Sequence, residues 1–206
     1  MRGGAARWGA RLLAGLAALA TLGAGGAPHS MEGLRTRLVR AGRAEVSVRQ
    51  VVMAAGDTVR QMRGRLALEL PDRVRVDDAR SGERLTARGD GGEWLQPAAE
   101  QMLILRAEQA AQVAGVWRIM LEGSREVDER ALGGGRFVMK ARPGAEVFAD
   151  SVWVRLGKDG LPAILEASTG DEHWRLEFGA WKFARPRGAS AFKLRAPSGY
   201  AVVEWP

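Results

Sequence analysis

The 206-residue chain has no cysteine and no asparagine, only two histidines and a single tyrosine. Without Cys it forms no disulfide, thiolate zinc site, iron–sulfur cluster or cysteine nucleophile. His29 sits near the N-terminus, and His173 reads as an exposed residue beside the turn signal Thr169-Gly170-Asp171. Two histidines so placed build neither a serine-hydrolase relay nor a histidine metal cluster. A nucleophile elbow, a phosphate-binding loop and a dinucleotide fingerprint are also missing. Gly133-Gly134-Gly135 has no helix pattern after it, as a phosphate cradle needs. Asp77, Asp78 and Glu83 read as a solvated acidic cluster at a turn. Lysine is scarce: only 4 of the 31 basic residues are Lys, the rest Arg, against 24 acidic ones, for a net charge of +7. The Arg residues are scattered rather than blocked. Trp94, Trp117, Trp153, Trp174, Trp181 and Trp205 do not interleave with them on one strand face, so no nucleic-acid platform emerges. Neither a catalytic constellation nor a cofactor site is expected; the chain reads as a binding protein, not an enzyme.

The N-terminus carries a targeting pattern. Arg2, Arg7 and Arg11 precede the apolar run Leu12 to Leu22, and small residues follow through Ala27. That is the layout of a secretory signal peptide, and its run falls short of the ~20 residues of a membrane-spanning helix. Ala24 and Gly26 place cleavage after Gly26, so residues 1–26 form the leader and 27–206 the working domain. The leader holds three of the basic residues and no acidic one, so +7 becomes +4 in the mature chain.

One helix and then many strands follow. Ser30 can cap a helix that runs to Ala41 and stops at Gly42, with Met31, Leu34, Leu38 and Ala41 on one stripe. The period then becomes two. Val46 and Val48, then Leu66, Leu68 and Leu70, then Val74 and Val76 each alternate with small or charged residues. The same holds for Val152, Val154 and Leu156, and for Trp174, Leu176 and Phe178. Each reads as an antiparallel strand with one wet face. Turn signals at Ala54 to Asp57, Pro71-Asp72, Ser81-Gly82, Gly89 to Gly92, Gly133 to Gly135 and Gly157 to Gly160 separate them. A meander of this length implies a large antiparallel sheet that curls. The segment Leu103 to Gly123 interrupts it. Ala107 to Ala114 favours helix, and Val116 to Leu121 is apolar enough to need a cover, which the hollow of the curled sheet supplies.

The order of these signals resembles the LolA family of periplasmic lipoprotein carriers across nearly the whole mature chain. The resemblance is carried by the helix at Leu34 to Leu38, the strand–Pro–strand piece Gly64 to Val76, and the turn Asp90 to Pro97 followed by Glu100-Gln101. It continues through the apolar piece Val116 to Leu121, the strand and turn Val152 to Gly160, and the ending Phe192 to Tyr200. It implies an unclosed antiparallel half-barrel with an N-terminal helix and short lid helices at its concave face. It also implies a monomer that carries acylated lipoprotein or lipid cargo across the periplasm. An inner-membrane exporter would be the donor and an outer-membrane receptor the acceptor. The alternative on the same fold is an envelope-stress sensor or interaction domain. The expected cavity lining is Leu66, Leu68, Leu70, Val74, Val76, Trp94, Met102, Trp117, Ile119, Met120, Leu121, Val152, Val154, Leu165, Trp174, Leu176 and Phe178. In the family an Arg just before the strand-ending Pro holds the lid. Here that position is Leu70, which leaves Arg73 as the candidate lid-gating residue.

Overall fold

The computed structural model describes residues 30–122, 127–141, 149 and 151–205, with side chains for all of these except 115–122, 127, 141 and 169. The expected signal peptide lies outside them.

Helix α1 (Glu32–Ala41) buries Leu34 and Leu38, the two residues that its spacing places on one stripe. Gly42 ends it in the left-handed region at φ 86°, its N–H donating to the Leu38 carbonyl at 2.6 Å. The N-cap is Met31 rather than Ser30. The Ser30 N–H instead donates to Glu129 Oε1 at 2.6 Å, and its hydroxyl is buried without a partner. A distant strand has taken the residue that local propensity assigned to the cap.

Strands β1 (Arg43–Ala54), β2 (Asp57–Glu69), β3 (Arg73–Asp78), β4 (Arg84–Arg88), β5 (Gly91–Gln96) and β6 (Gln101–Leu105) follow as an antiparallel meander. Helix α2 (Ala107–Glu122) interrupts it as one continuous element instead of several short pieces. A second meander comprises β7 (Val127–Gly133), β8 (Arg136–Ala141), β9 (Ser151–Leu156), β10 (Pro162–Thr169) and β11 (Glu172–Phe178). The two halves join where β11 pairs antiparallel with β1, and the short β12 (Lys182–Ala184) extends that edge. Finally β13 (Ala201–Glu204) pairs parallel with β6, so the sheet begins at β13 and ends at β7 without closing.

Apart from register shifts at Val52/Met53, Ala131/Gly133 and Pro162/Ile164, period-two alternation carries across the pairings, so one set of residues shares a single inner face. Val46 lies opposite Leu66, Leu66 opposite Val76, and Val76 opposite Leu85. On the other flank Leu176 lies opposite Leu165, Leu165 opposite Val154, and Val154 opposite Phe137. All except the half-buried Leu85 are buried, and all belong to one core together with Leu34, Leu38, Ala110 and Ala114 of the two helices. A core shared between strands this far apart in the sheet requires the sheet to curl around the helices.

Gly64 marks a place where two backbones come too close for a side chain. A Cβ there would sit 1.8 Å from the Asp77 carbonyl oxygen and 2.8 Å from its carbon, and backbone cannot swing aside. Gly64→Ala is therefore expected to cost at least the ~1–3 kcal/mol of an overpacked site, read as a lowered midpoint in urea unfolding. An unchanged midpoint would show that β2 and β3 are not held at this spacing.

Candidate functional site

The inner face is the candidate site. Among the sequence-predicted residues, Leu66, Leu68, Val74, Val76, Val152, Val154, Leu165 and Leu176 come together there, all buried. Leu70, Trp94, Trp174 and Phe178 are half-buried against the same core. Trp117, Ile119, Met120 and Leu121 fall in the second half of α2, where side chains are outside the described residues.

Met102 is not on this face. It pairs with Leu95, whereas Leu103 pairs with the inner-face Trp94. One residue of offset reverses the face, so Leu103 takes the inner position and Met102 is buried on the outer side.

Helix α2 covers the inner face over β4 and β5, with its margins on β3 and β6. Ala107, Ala110, Ala111 and Ala114 line a cavity of about 300 Å³ together with Ala87, Gly89, Asp72, Arg88 and Glu108. A plug at one side is aromatic: Trp205 stacks on Trp94 with ring centroids 5.5 Å apart and planes 17° from parallel. Two bonds fix Trp205, its N–H donating to the Ile104 carbonyl at 3.0 Å and its carbonyl accepting from Gln109 Nε2 of α2 at 3.1 Å. The indole of Trp94 donates to Glu83 Oε2 at 3.3 Å. Sequence reading missed Trp205 as an inner-face residue because it lies beyond the last strand, outside any alternation.

The outer face is occupied by a different device. After β12 the chain crosses β2, β3, β4 and β5 as a strap before joining β6. Glu69 of β2 is fully buried beneath it and accepts from the backbone N–H of Arg187 (2.6 Å) and of Gly188 (3.0 Å). Arg75 of β3 donates to the Ala191 carbonyl at 3.0 Å, and Arg88 of β4 to the Phe192 carbonyl at 2.6 Å. Glu93 of β5 accepts from the Leu194 N–H at 3.3 Å. Phe192 is buried under this strap, outside the main core.

Arg73 belongs to the strap and not to the lid. It faces outward opposite Glu69, to which it donates at 2.8 Å, while its neighbour Val74 faces inward. Its parity in β3 excludes the expected contact with α2. Two lesser expectations also change. His173 lies within β11, half-buried, with Nδ1 3.2 Å from the Ser168 hydroxyl. Asp78 is buried and anchors the β3–β4 loop, accepting from the Arg80 N–H and the Ser81 hydroxyl.

The Arg88–Glu93 pair is bidentate, at 2.8 and 2.9 Å. Burial alone would raise the Glu93 carboxyl, but Arg88, the Thr86 hydroxyl and the Leu194 N–H together hold it below the ordinary carboxylate range. A depressed carboxyl adds stability that is complete above its unfolded value of about 4.3 and is lost as pH falls through the lower folded value. Stability to urea should therefore drop between pH 5 and strongly acidic conditions. The drop should be smaller in Glu93→Gln, and an equal drop in both proteins would remove this pair from the account.

No protein-family model and no curated protein matches the chain. Its fold is shared with a solved structure, an uncharacterized conserved protein from Thermus thermophilus. That likeness has a TM-score of 0.52 at 13% identity and covers 85% of this chain and 97% of the other. The chain is also similar to a LolA superfamily protein from Nitrosomonas europaea (TM-score 0.41, 11% identity, 77% and 96% of the two chains). A putative outer membrane lipoprotein-sorting protein domain from Vibrio parahaemolyticus is similar at TM-score 0.43 and 13% identity, over 79% and 95%. An unclosed antiparallel sheet wrapped on two helices is the architecture that the sequence resemblance implied. The fold is an unclosed antiparallel half-barrel, shared with the Thermus thermophilus protein. Helix α2 lies over β4 and β5, and the cavity opens beside its N-terminal half, toward the β2–β3 and β4–β5 turns. Among the described residues there is no group of three or more side chains able to hold a metal, and no helix long and apolar enough to cross a membrane.

Proposed function

We propose that the chain is a LolA-like carrier that shields acyl chains of a lipoprotein or lipid during transfer through the periplasm. The observation that carries this reading is the single apolar inner face covered by a helix whose Ala110, Val113 and Ala114 pack against it, with a cavity beside that contact. Each methylene moved from water to such a face gains about 0.8 kcal/mol, so ten of them give about 8 kcal/mol before the costs of association. That scale suits reversible capture and release. Cargo and lid compete for the same apolar surface, so α2 moves aside as the acyl chains enter, and the closed and loaded states differ by only a few kcal/mol. Donor and acceptor would then be an exporter in the inner membrane and a receptor in the outer one. The mature chain carries cargo as a monomer and needs no cofactor.

The direct test uses mature protein purified from the periplasm. Native mass spectrometry is expected to show a lipid or acyl adduct, and the delipidated protein should take up a triacylated peptide one to one. Absence of both would overturn the reading.

A further inference from the structure

We infer that the outer side of β2, where β3 ends, is a binding site for a phosphate group. A cleft of about 410 Å³ lies there, lined by Arg49, Gln61, Met62, Arg63, Ala79 and Arg80. It lies apart from the cavity under α2, shares no lining residue with it, and does not depend on the carrier reading.

Charge placement is the first argument. Arg49 and Arg63 are direct cross-strand partners in the β1–β2 register, an arrangement that like charges destabilise. Arg49 is partly offset by Glu177 at 3.4 Å, but Glu177 is already engaged by Arg175 at 2.9 Å. Arg63 and Arg80 have no acidic partner within ion-pair distance among the described residues, and both are exposed. The nearby carboxylates are spent elsewhere: Asp77 on Arg75, Glu83 on Arg60, and Asp78 on its own loop. A bound dianion between these guanidiniums would turn repulsion into charge-assisted hydrogen bonds.

Preorganisation is the second. The loop that presents Arg80 is fixed on both sides, so little ordering is left to lose on binding. The Ala79 N–H donates to the Arg63 carbonyl at 2.9 Å, tying Arg80 to the strand that carries Arg63. The Gly82 N–H donates to the Asp78 carbonyl at 3.0 Å, and the Asp78 carboxylate accepts from the Arg80 N–H and the Ser81 hydroxyl. Gln61 adds a neutral amide donor beside the three guanidiniums. Arginine forks suit phosphate oxygens better than a point charge would.

Such a phosphate group has two sources, a phospholipid headgroup or a soluble phosphate compound, and the experiment separates them. The mature protein is titrated with inorganic phosphate by calorimetry. It is also sedimented with vesicles of phosphatidylglycerol and phosphatidylcholine, against phosphatidylcholine alone. Arg63→Gln/Arg80→Gln is compared with Arg35→Gln/Arg40→Gln, which removes the same charge from the exposed side of α1. The cleft variant is expected to lose about tenfold or more in affinity for the phosphate source it binds, while the α1 variant stays near wild type. Vesicle binding alone assigns the site to a headgroup; binding of inorganic phosphate assigns it to soluble phosphate compounds. Equal loss in both variants, or no binding to either source, overturns the site. Uptake of triacylated peptide, measured on the same variants, should be unchanged, which keeps this test separate from that of the carrier function.

Discussion

Tethering α2 to β4 is expected to abolish acyl uptake. Ala87 of β4 and Ala110 of α2 are both buried and face the same cavity. The chain has no cysteine, so Ala87→Cys/Ala110→Cys introduces the sole two thiols. A short bis-thiol bridge between them fixes the helix over the inner face. If cargo must displace α2 to reach the apolar surface, the bridged protein has no room for an acyl chain beyond the 300 Å³ cavity. Binding of a fluorescent acyl probe should fall to background when bridged and return on cleavage of a reducible bridge. The reversal separates a locked lid from a misfolded protein. Full binding by the bridged protein would show that cargo enters without lid movement, and the inner face under α2 would not be the site.

Glu69→Ala is expected to be the most destabilising single substitution on the outer face. The carboxylate is fully buried, yet it collects three donors: the Arg73 guanidinium and the backbone N–H groups of Arg187 and Gly188. Deleting it leaves the backbone N–H groups of Arg187 and Gly188 without this acceptor and one arginine without its partner. Orphaned donors cost about 1–3 kcal/mol each, and breaking a buried pair about 3–5 kcal/mol. These penalties overlap, and Arg73 and the strap residues are partly solvated, so a loss of about 2–3 kcal/mol is expected. Glu69→Gln keeps one acceptor oxygen and should lose less. Urea unfolding gives the magnitude. Trypsin cleavage after Arg187 gives the mechanism, since release of the strap frees its backbone, otherwise held by Glu69, to enter the protease. A loss under about 1 kcal/mol, with no change in cleavage, would mean that the strap is held by Phe192 and β13 instead.

Strand parity was legible wherever polar residues alternate with apolar ones. Leu66, Leu68, Val74 and Val76 are separated by Ala, Glu or Arg, and all four are buried on the inner face. It failed in Met102-Leu103-Ile104-Leu105, because an unbroken apolar run has no parity of its own. The pairing with β5 decides that run, through Trp94 opposite Leu103. Arg73 shows the opposite case. Its alternation with Val74 and Val76 already put it on the outer side, and the analogy with a lid-holding arginine overrode that signal. The strap was invisible for a further reason. Residues 185–200 carry Pro186, Gly188, Pro197 and Gly199, and their period of two is confined to the short stretch Phe192 to Ala196, too little to mark the segment as bound to an outer face. Glu69 likewise looks like any outward residue of a half-wet strand until a distant segment covers it.

By itself, then, the sequence determined which residues share a face, where the chain turns, and that one curled antiparallel sheet must hide an apolar helical segment. These follow from short-range sterics and from the period of two, which any window of a few residues displays. Only the tertiary structure decided that β11 returns to β1, that β13 lies parallel to β6, and that the outer face is roofed by a strap. Those choices join residues about a hundred positions apart or more. They depend on which edges and buried acceptors remain unsatisfied once the rest has folded, and no local pattern encodes that.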